Sequence, residues 1–340
     1  MVQFKPISTG DAIWQARDLI NDAFVVVGGH KADLTSYLPR LLEKFKEKAV
    51  LLGTETAQPW EFGMLKIENG KVAEIVENPK KGKEPSDIKT SETYIFPKDF
   101  FDYYARVPQK EDNFIDTINL LIKEKGADFI LAEESPLSLK YPWQALEAMR
   151  LKLKSERFEN YIDSTAVIGK NVVFDGKVYI GKKTVIGSNT IISGPCFIGN
   201  NCRIGASNVL RDHVNLEEGV VTGAFTELKN SLLQKGTHLH SGYFGDSIFG
   251  ENCRVGAGFI TANRRIDRVN IHSLVKGKKT DTNLTFFGAA VGNNSRFGIR
   301  AGTMPGVLIG SNCRVGPGTL IFDNIKDNKS FFTKFNNETS

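Results

Sequence analysis

Residues 178–205 read VYIGKKTVIGSNTIISGPCFIGNNCRIG, and every sixth position is a large aliphatic: Ile180, Ile186, Ile192, Ile198 and Ile204. The same step of six runs outward from Ile162, Ile168 and Phe174 to Leu210 and Leu216 without a slip. After a polar step at Thr222 it resumes at Leu228, recurs at Phe249 and Val255, and returns as Val291, Phe297, Thr303, Ile309, Val315 and Ile321. A fixed short period marks a solenoid, in which each repeat buries its apolar residue only by stacking on its neighbours. Each hexad reads as one short strand and one turn, with three hexads to a triangular coil. The position four after each aliphatic must be small because it too faces the axis. It holds Thr184, Thr190, Cys196, Cys202, Asn208 and Val214, and Cys253 and Cys313 fall in the same slot. All four cysteines thus read as small buried hydrophobes, ahead of a metal site, and no metal is expected.

The rest of the composition narrows the function classes. At 340 residues the chain can hold two domains. A charge of +5 with no basic stripe argues against nucleic acid. No apolar run approaches the roughly 18 residues needed to cross a bilayer, and the opening residues lack an apolar leader core, so a cytoplasmic protein with no membrane span is expected. The period fails at residues 230–242, which hold His238 and His240, and at residues 264–287, rich in Lys and Arg. A regular solenoid has no pocket, so functional groups are expected at such failures. The second reads either as a loop that crosses a subunit boundary or grips a phosphate, or as a solvated loop.

The hexads resemble those of the left-handed β-helix acyltransferases over nearly all of residues 160–325. That resemblance implies the left hand, a homotrimer formed through the β-helix, and active sites between neighbouring prisms. Periodicity alone leaves open a solenoid that serves only as a scaffold.

The segment TELKNSLLQKGTHLHSGYFGDSIFGENCRVGAGFITANRRID is more specific. It resembles the acetyltransferase domain of the bifunctional N-acetylglucosamine-1-phosphate uridyltransferase family. The shared features are Glu227-Leu228-Lys229, His240 three residues before Tyr243, Phe244-Gly245-Asp246, Gly256-Ala257-Gly258 and Asn263. The resemblance implies that His240 is the general base taking a proton from a sugar amine as it attacks acetyl-CoA. Imidazole suits the task because it titrates near working pH. His238 is then a bystander. Arg211 and Lys229 fall on cations for the sugar phosphate, Tyr243 and Asn263 on sugar contacts, and the Ala257 N–H on the acetyl carbonyl, where it would stabilise an oxyanion. Three positions depart from the family pattern. Arg254, counted here with the substrate-binding positions, stands for an asparagine, Val269 stands for a lysine with Arg268 beside it, and Asp323 lies where an arginine commonly helps to bind CoA.

Residues 1–155 alternate helical and strand patterns, at 10–20, 24–27, 41–47 and 50–52, as in a doubly wound α/β layer. Here STGDAIWQARDLINDAF, WEFGMLKIENGKVAEIVENP and DNFIDTINLLI resemble parts of a sugar nucleotidyltransferase domain. Against a full domain of that kind the chain would start about seventy residues late, without the Gly-rich phosphate loop. His30 and Ser138 stand at the positions of its metal carboxylates. The expected organisation is a partial nucleotidyltransferase-like domain over 1–155, a left-handed β-helix over 156–327 and a tail over 328–340. The expected function is acetyl-CoA-dependent N-acetylation of glucosamine or galactosamine 1-phosphate. The alternatives are a catalytically silent scaffold or regulatory member of the family and, behind it, an active nucleotidyltransferase.

Overall fold

The computed structural model describes residues 8–108, 110, 113–133 and 136–334. Its contacts separate two units, Met1–Leu139 and Lys140–Ser340.

The first unit is built on a six-stranded sheet, β1 (Phe24–Val27), β2 (Ala49–Glu55), β3 (Met64–Glu68), β4 (Lys71–Val76), β5 (Ile88–Phe96) and β6 (Ala127–Leu131), in the order β1-β5-β2-β6-β4-β3. Only β2 and β6 pair in parallel. Strand β2 is buried on both sides, as a near-continuous apolar run requires. Ala49 and Leu51 enter an aromatic-rich core with Tyr94, Phe96, Phe100 and Phe114, under the helix Asn113–Lys125. Val50 and Leu52 face the other way, toward Leu41 of the helix Leu34–Lys44. Helices therefore cover both faces, the doubly wound layering expected from the alternating pattern.

The second unit is a triangular prism of parallel strands. Its three faces hold eight, nine and eight strands. The first face begins at Tyr161–Ile162 and ends at Val307–Ile309, the second runs from Val167–Ile168 to Ser330–Phe331, and the third from Val173–Asp175 to Leu320–Ile321. The aliphatic series points inward: Ile180, Ile192, Ile198, Leu210 and Leu216 are fully buried. So is the small slot, through Thr184, Thr190, Cys196, Cys202, Asn208, Cys253 and Cys313. Its hydroxyls bond across coils; Thr184 Oγ1 donates to Gly199 O (2.7 Å) and accepts from Cys202 N (3.1 Å). Burial pushes the thiols of Cys196, Cys202 and Cys253 up to about 11.

One expectation changes. At residues 230–242 the coil contracts without breaking: the inward step falls from six residues to five between Leu228 and Leu233, Leu239 and Phe244, and Phe244 and Phe249, while the strands stay in register. Phenyl rings of Phe244, Phe249, Phe259 and Phe297 fill the axis there. The second failure is the insertion expected from the sequence, and its hairpin packs on its own prism. Its hairpin, His272–Val275 with Lys278–Asp281, is held by Ser273 Oγ donating to Gly306 O (2.6 Å) and Asn324 Nδ2 donating to Leu274 O (2.7 Å). Ile271 and Phe287 join Trp143, Leu146 and Met149 of the segment around the helix Gln144–Lys154, and together they cover Phe197, Leu232, Ile248 and Leu308 of the first face. Residues 140–154, placed with the first half on the sequence pattern, thus pack on the prism. Beyond residue 327, Ser330–Phe331 adds the ninth strand of the second face.

Candidate functional site

With the first face covered, the candidate residues collect on the other two faces and the corner between them. His238 opens the strand His238–Leu239 on the second face; Tyr243 lies on Gly242–Gly245 of the third. His240 is the corner residue between them. Its N–H donates to Val255 O (2.9 Å). The same backbone position is Gly223 one coil before and Gly256 one coil after, judged by their equivalent bonds to Leu239 O and Phe297 O. Gly223 is required: a Cβ there would collide with the carbonyl oxygen of His240. The imidazole is therefore exposed between two residues without side chains, and it has no hydrogen-bond partner among the described residues. It lines a groove of about 480 Å³ with Val221, His238, Arg254, Arg296 and Phe297. His238, half-buried, is pushed below the usual histidine value by burial and then by the neighbouring Arg254.

The third face carries a closed polar network. Asp246, with 4% of its side chain exposed, accepts from Lys229 Nζ (2.9 Å), Asn230 Nδ2 (2.7 Å) and Asn263 Nδ2 (2.5 Å). Asn263 Nδ2 also approaches Tyr243 Oη (3.0 Å). Gly245 makes this possible, since a Cβ there would lie 2.5 Å from Tyr243 Oη and 2.6 Å from Asn263 Nδ2. Burial raises the Tyr243 phenol, and the Asp246 charge raises it further. Arg211 lies in register with Lys229 and pairs with Glu227 (2.8 Å) and Asp212 (2.8 Å). Lys229 and Arg264 both stand over the ring of Phe286, at 4.3 and 4.6 Å. Phe286 and Arg264 were not singled out in the sequence, and Asp246 entered only as part of the Phe-Gly-Asp motif, without a role.

Of the remaining candidates, Ala257 lies at the corner one coil beyond His240, and its N–H makes no hydrogen bond among the described residues. Arg254 lies on the second face, with Nη1 donating to Gly236 O (2.7 Å) and Cys253 O (2.9 Å). Val269 is exposed in the insertion. Asp323 lines a different groove, of about 1050 Å³ beneath the hairpin, with Lys276, Lys326 and Lys329. In the first unit, Leu139 N donates to His30 O (2.8 Å) and Lys31 bridges Ser138, so the two positions expected for metal carboxylates do adjoin. They offer an imidazole, paired with Glu92 at 3.3 Å, and a hydroxyl, a poor donor set for Mg²⁺. Among the described residues no three His, Cys, Asp or Glu side chains converge, and no helix is long and apolar enough to cross a membrane.

Fold and site together define a two-part transferase class, a nucleotidyltransferase-like layer followed by hexad coils of the left-handed β-helix type. Comparison with known proteins agrees in both halves. The nucleotidyl transferase family matches residues 1–135, and the hexapeptide repeat of succinyl-transferase matches residues 177–210 and 288–322. The Bifunctional protein GlmU of Methanocaldococcus jannaschii is 35% identical over 328 residues, covering 94% of this chain and 77% of the relative. That of Methanococcus aeolicus is 35% identical over 334 residues, covering 96% and 78%. A bifunctional sugar-1-phosphate nucleotidylyltransferase/acetyltransferase of Sulfurisphaera tokodaii is 30% identical over 318 residues, covering 92% and 77%. The chain belongs to this GlmU-type family.

Proposed function

We propose that the chain is an N-acetyltransferase that acylates the amine of an amino-sugar 1-phosphate, glucosamine or galactosamine, with acetyl-CoA as donor. The observation that carries this reading is the placement of His240: an unpartnered imidazole on a corner, between two glycines, beside the Tyr243–Asn263–Asp246 network. The sugar amine would attack the acetyl carbonyl, the C–N bond forming as the C–S bond breaks. His240 would take the amine proton and pass it to the departing sulfur, so that CoA leaves as the thiol. Tyr243 and Asn263 would bind sugar hydroxyls, with Arg211 and Lys229 nearest the phosphate. The free Ala257 N–H is a suitable donor to the developing oxyanion. A homotrimer fits the exposure of Val167, Val185, Val173, Ile191 and Ile260 on the two uncovered faces.

The test is to incubate purified protein with acetyl-CoA and each amino-sugar 1-phosphate and follow thiol release. The protein's own cysteines are all buried, so the signal reports CoA. Turnover with one of these sugars is expected; no turnover with either sinks the reading. A second reading, a silent member that still binds a sugar phosphate, is favoured by one fact: Arg211 and Lys229 already pair with Glu227, Asp212 and Asp246.

A further inference from the structure

The second face carries a column of side chains in register along the prism: His238, Arg254, Arg296 and Arg314. Consecutive strands lie about 4.8 Å apart, so the three arginines are neighbours in register along this face. Like charges directly opposite one another in a sheet are destabilising. Some cations of this unit are matched, Lys229 with Asp246, Arg211 with Glu227, Lys235 with Glu218 and Arg265 with Asp267. Among the described residues none of the three column arginines has a carboxylate partner. Corner residues 250–252, 256–258, 292–294, 298–300, 310–312 and 316–318 flank the column and include one acid, Glu251, against a further cation, Arg300. Arg254 is anchored by two backbone carbonyls, whereas Arg296 and Arg314 are exposed. Arg254 and Arg296 also line the groove that contains His240.

We infer that Arg296 and Arg314 form a rail for the phosphate groups of the acyl-CoA donor, which runs along the prism away from the corner that holds the base, the pantetheine arm spanning the interval past Arg254. The inference rests on the acetyltransferase reading. Guanidinium groups suit the task because their planar fork pairs with phosphate oxygens through two hydrogen bonds at once. A ligand carrying several phosphates on a flexible chain matches a row of cations better than a compact sugar phosphate does. Arg254, held by Gly236 O and Cys253 O level with the base, stays outside the rail. Asp323 lies in the other groove, away from it.

The experiment is direct binding by calorimetry, with CoA, dephospho-CoA and pantetheine as probes, on the full chain and on Arg296→Gln, Arg314→Gln and the double variant. Each single change is expected to weaken CoA binding about tenfold, the loss of one charge-assisted contact, and the double variant more. Dephospho-CoA should lose less than CoA, and pantetheine nothing. Raising salt from about 0.1 M to about 1 M should shrink the difference between wild type and variants as screening sets in. The melting temperature should stay level or rise, because repulsion is relieved; a fall in both variants would mark the column as structural and overturn the rail. Wild-type binding matched by the double variant would overturn the rail alone. No binding of CoA by the wild type would overturn the acetyltransferase reading and the rail with it.

Discussion

The two uncovered faces of the prism hold similar charges in opposite states. On the third face every cation has found a partner within the chain: a buried aspartate gathers Lys229, Asn230 and Asn263, and Arg211 is clasped by two carboxylates. On the second, three arginines stand in register with only backbone carbonyls for company. The first arrangement is pre-organised and holds its side chains in place before any ligand arrives. The second stores repulsion that an anionic ligand would relieve. Between them stands His240.

The contrast can be broken first at the histidine. His240→Ala should lower acetyl transfer by about 10²- to 10⁴-fold, the usual contribution of a general base, with no loss of thermal stability, since the side chain has no partners to lose. His238→Ala should leave the rate near wild type. A melt paired with the thiol-release assay reads both. If the third face is truly pre-organised, Asp246→Ala should cost about 3 kcal/mol in urea unfolding, because it strands Lys229 in a largely buried site. Gly245→Ala tests the same network more gently. The added methyl should separate Tyr243 from Asn263, at about 1–3 kcal/mol and with a raised KM for the sugar phosphate.

The smallest effect concerns a carboxylate held by neutral groups. Asp163 accepts from the Thr165 hydroxyl (2.6 Å) and N–H (2.9 Å) and from Tyr161 (2.8 Å), which lower it to about 2. A depressed value means that its contribution is complete above the unfolded value near 3.8 and is lost as pH falls toward 2. The stability difference between wild type and Asp163→Asn, followed by acid titration, should therefore close over that interval and stay constant above pH 5.

Much of this was legible in the chain. The hexad period placed the inward residues and the small slot from Val178 onward, and the spacing of His240 to Tyr243 singled out one histidine of two. The contraction at residues 230–242 read as a break, because losing a residue at a turn shifts the period while leaving strand pairing intact. In the first unit, the alternation of helical and strand patterns gave the layering, but the mostly antiparallel strand order of the sheet came from pairings between residues far apart.

By itself, then, the sequence determined the solenoid and its core, because a repeat buries its residues through local periodicity that needs no knowledge of distant partners; His240 was singled out by the resemblance of its motif, not by the period. Only the tertiary structure decided which charges are satisfied. Asp246 meets Lys229 and Asn263 from neighbouring coils, and Arg254 meets Arg296 across the whole inserted segment. Such meetings depend on how many residues each turn takes and where the insertion folds, and the period does not record either.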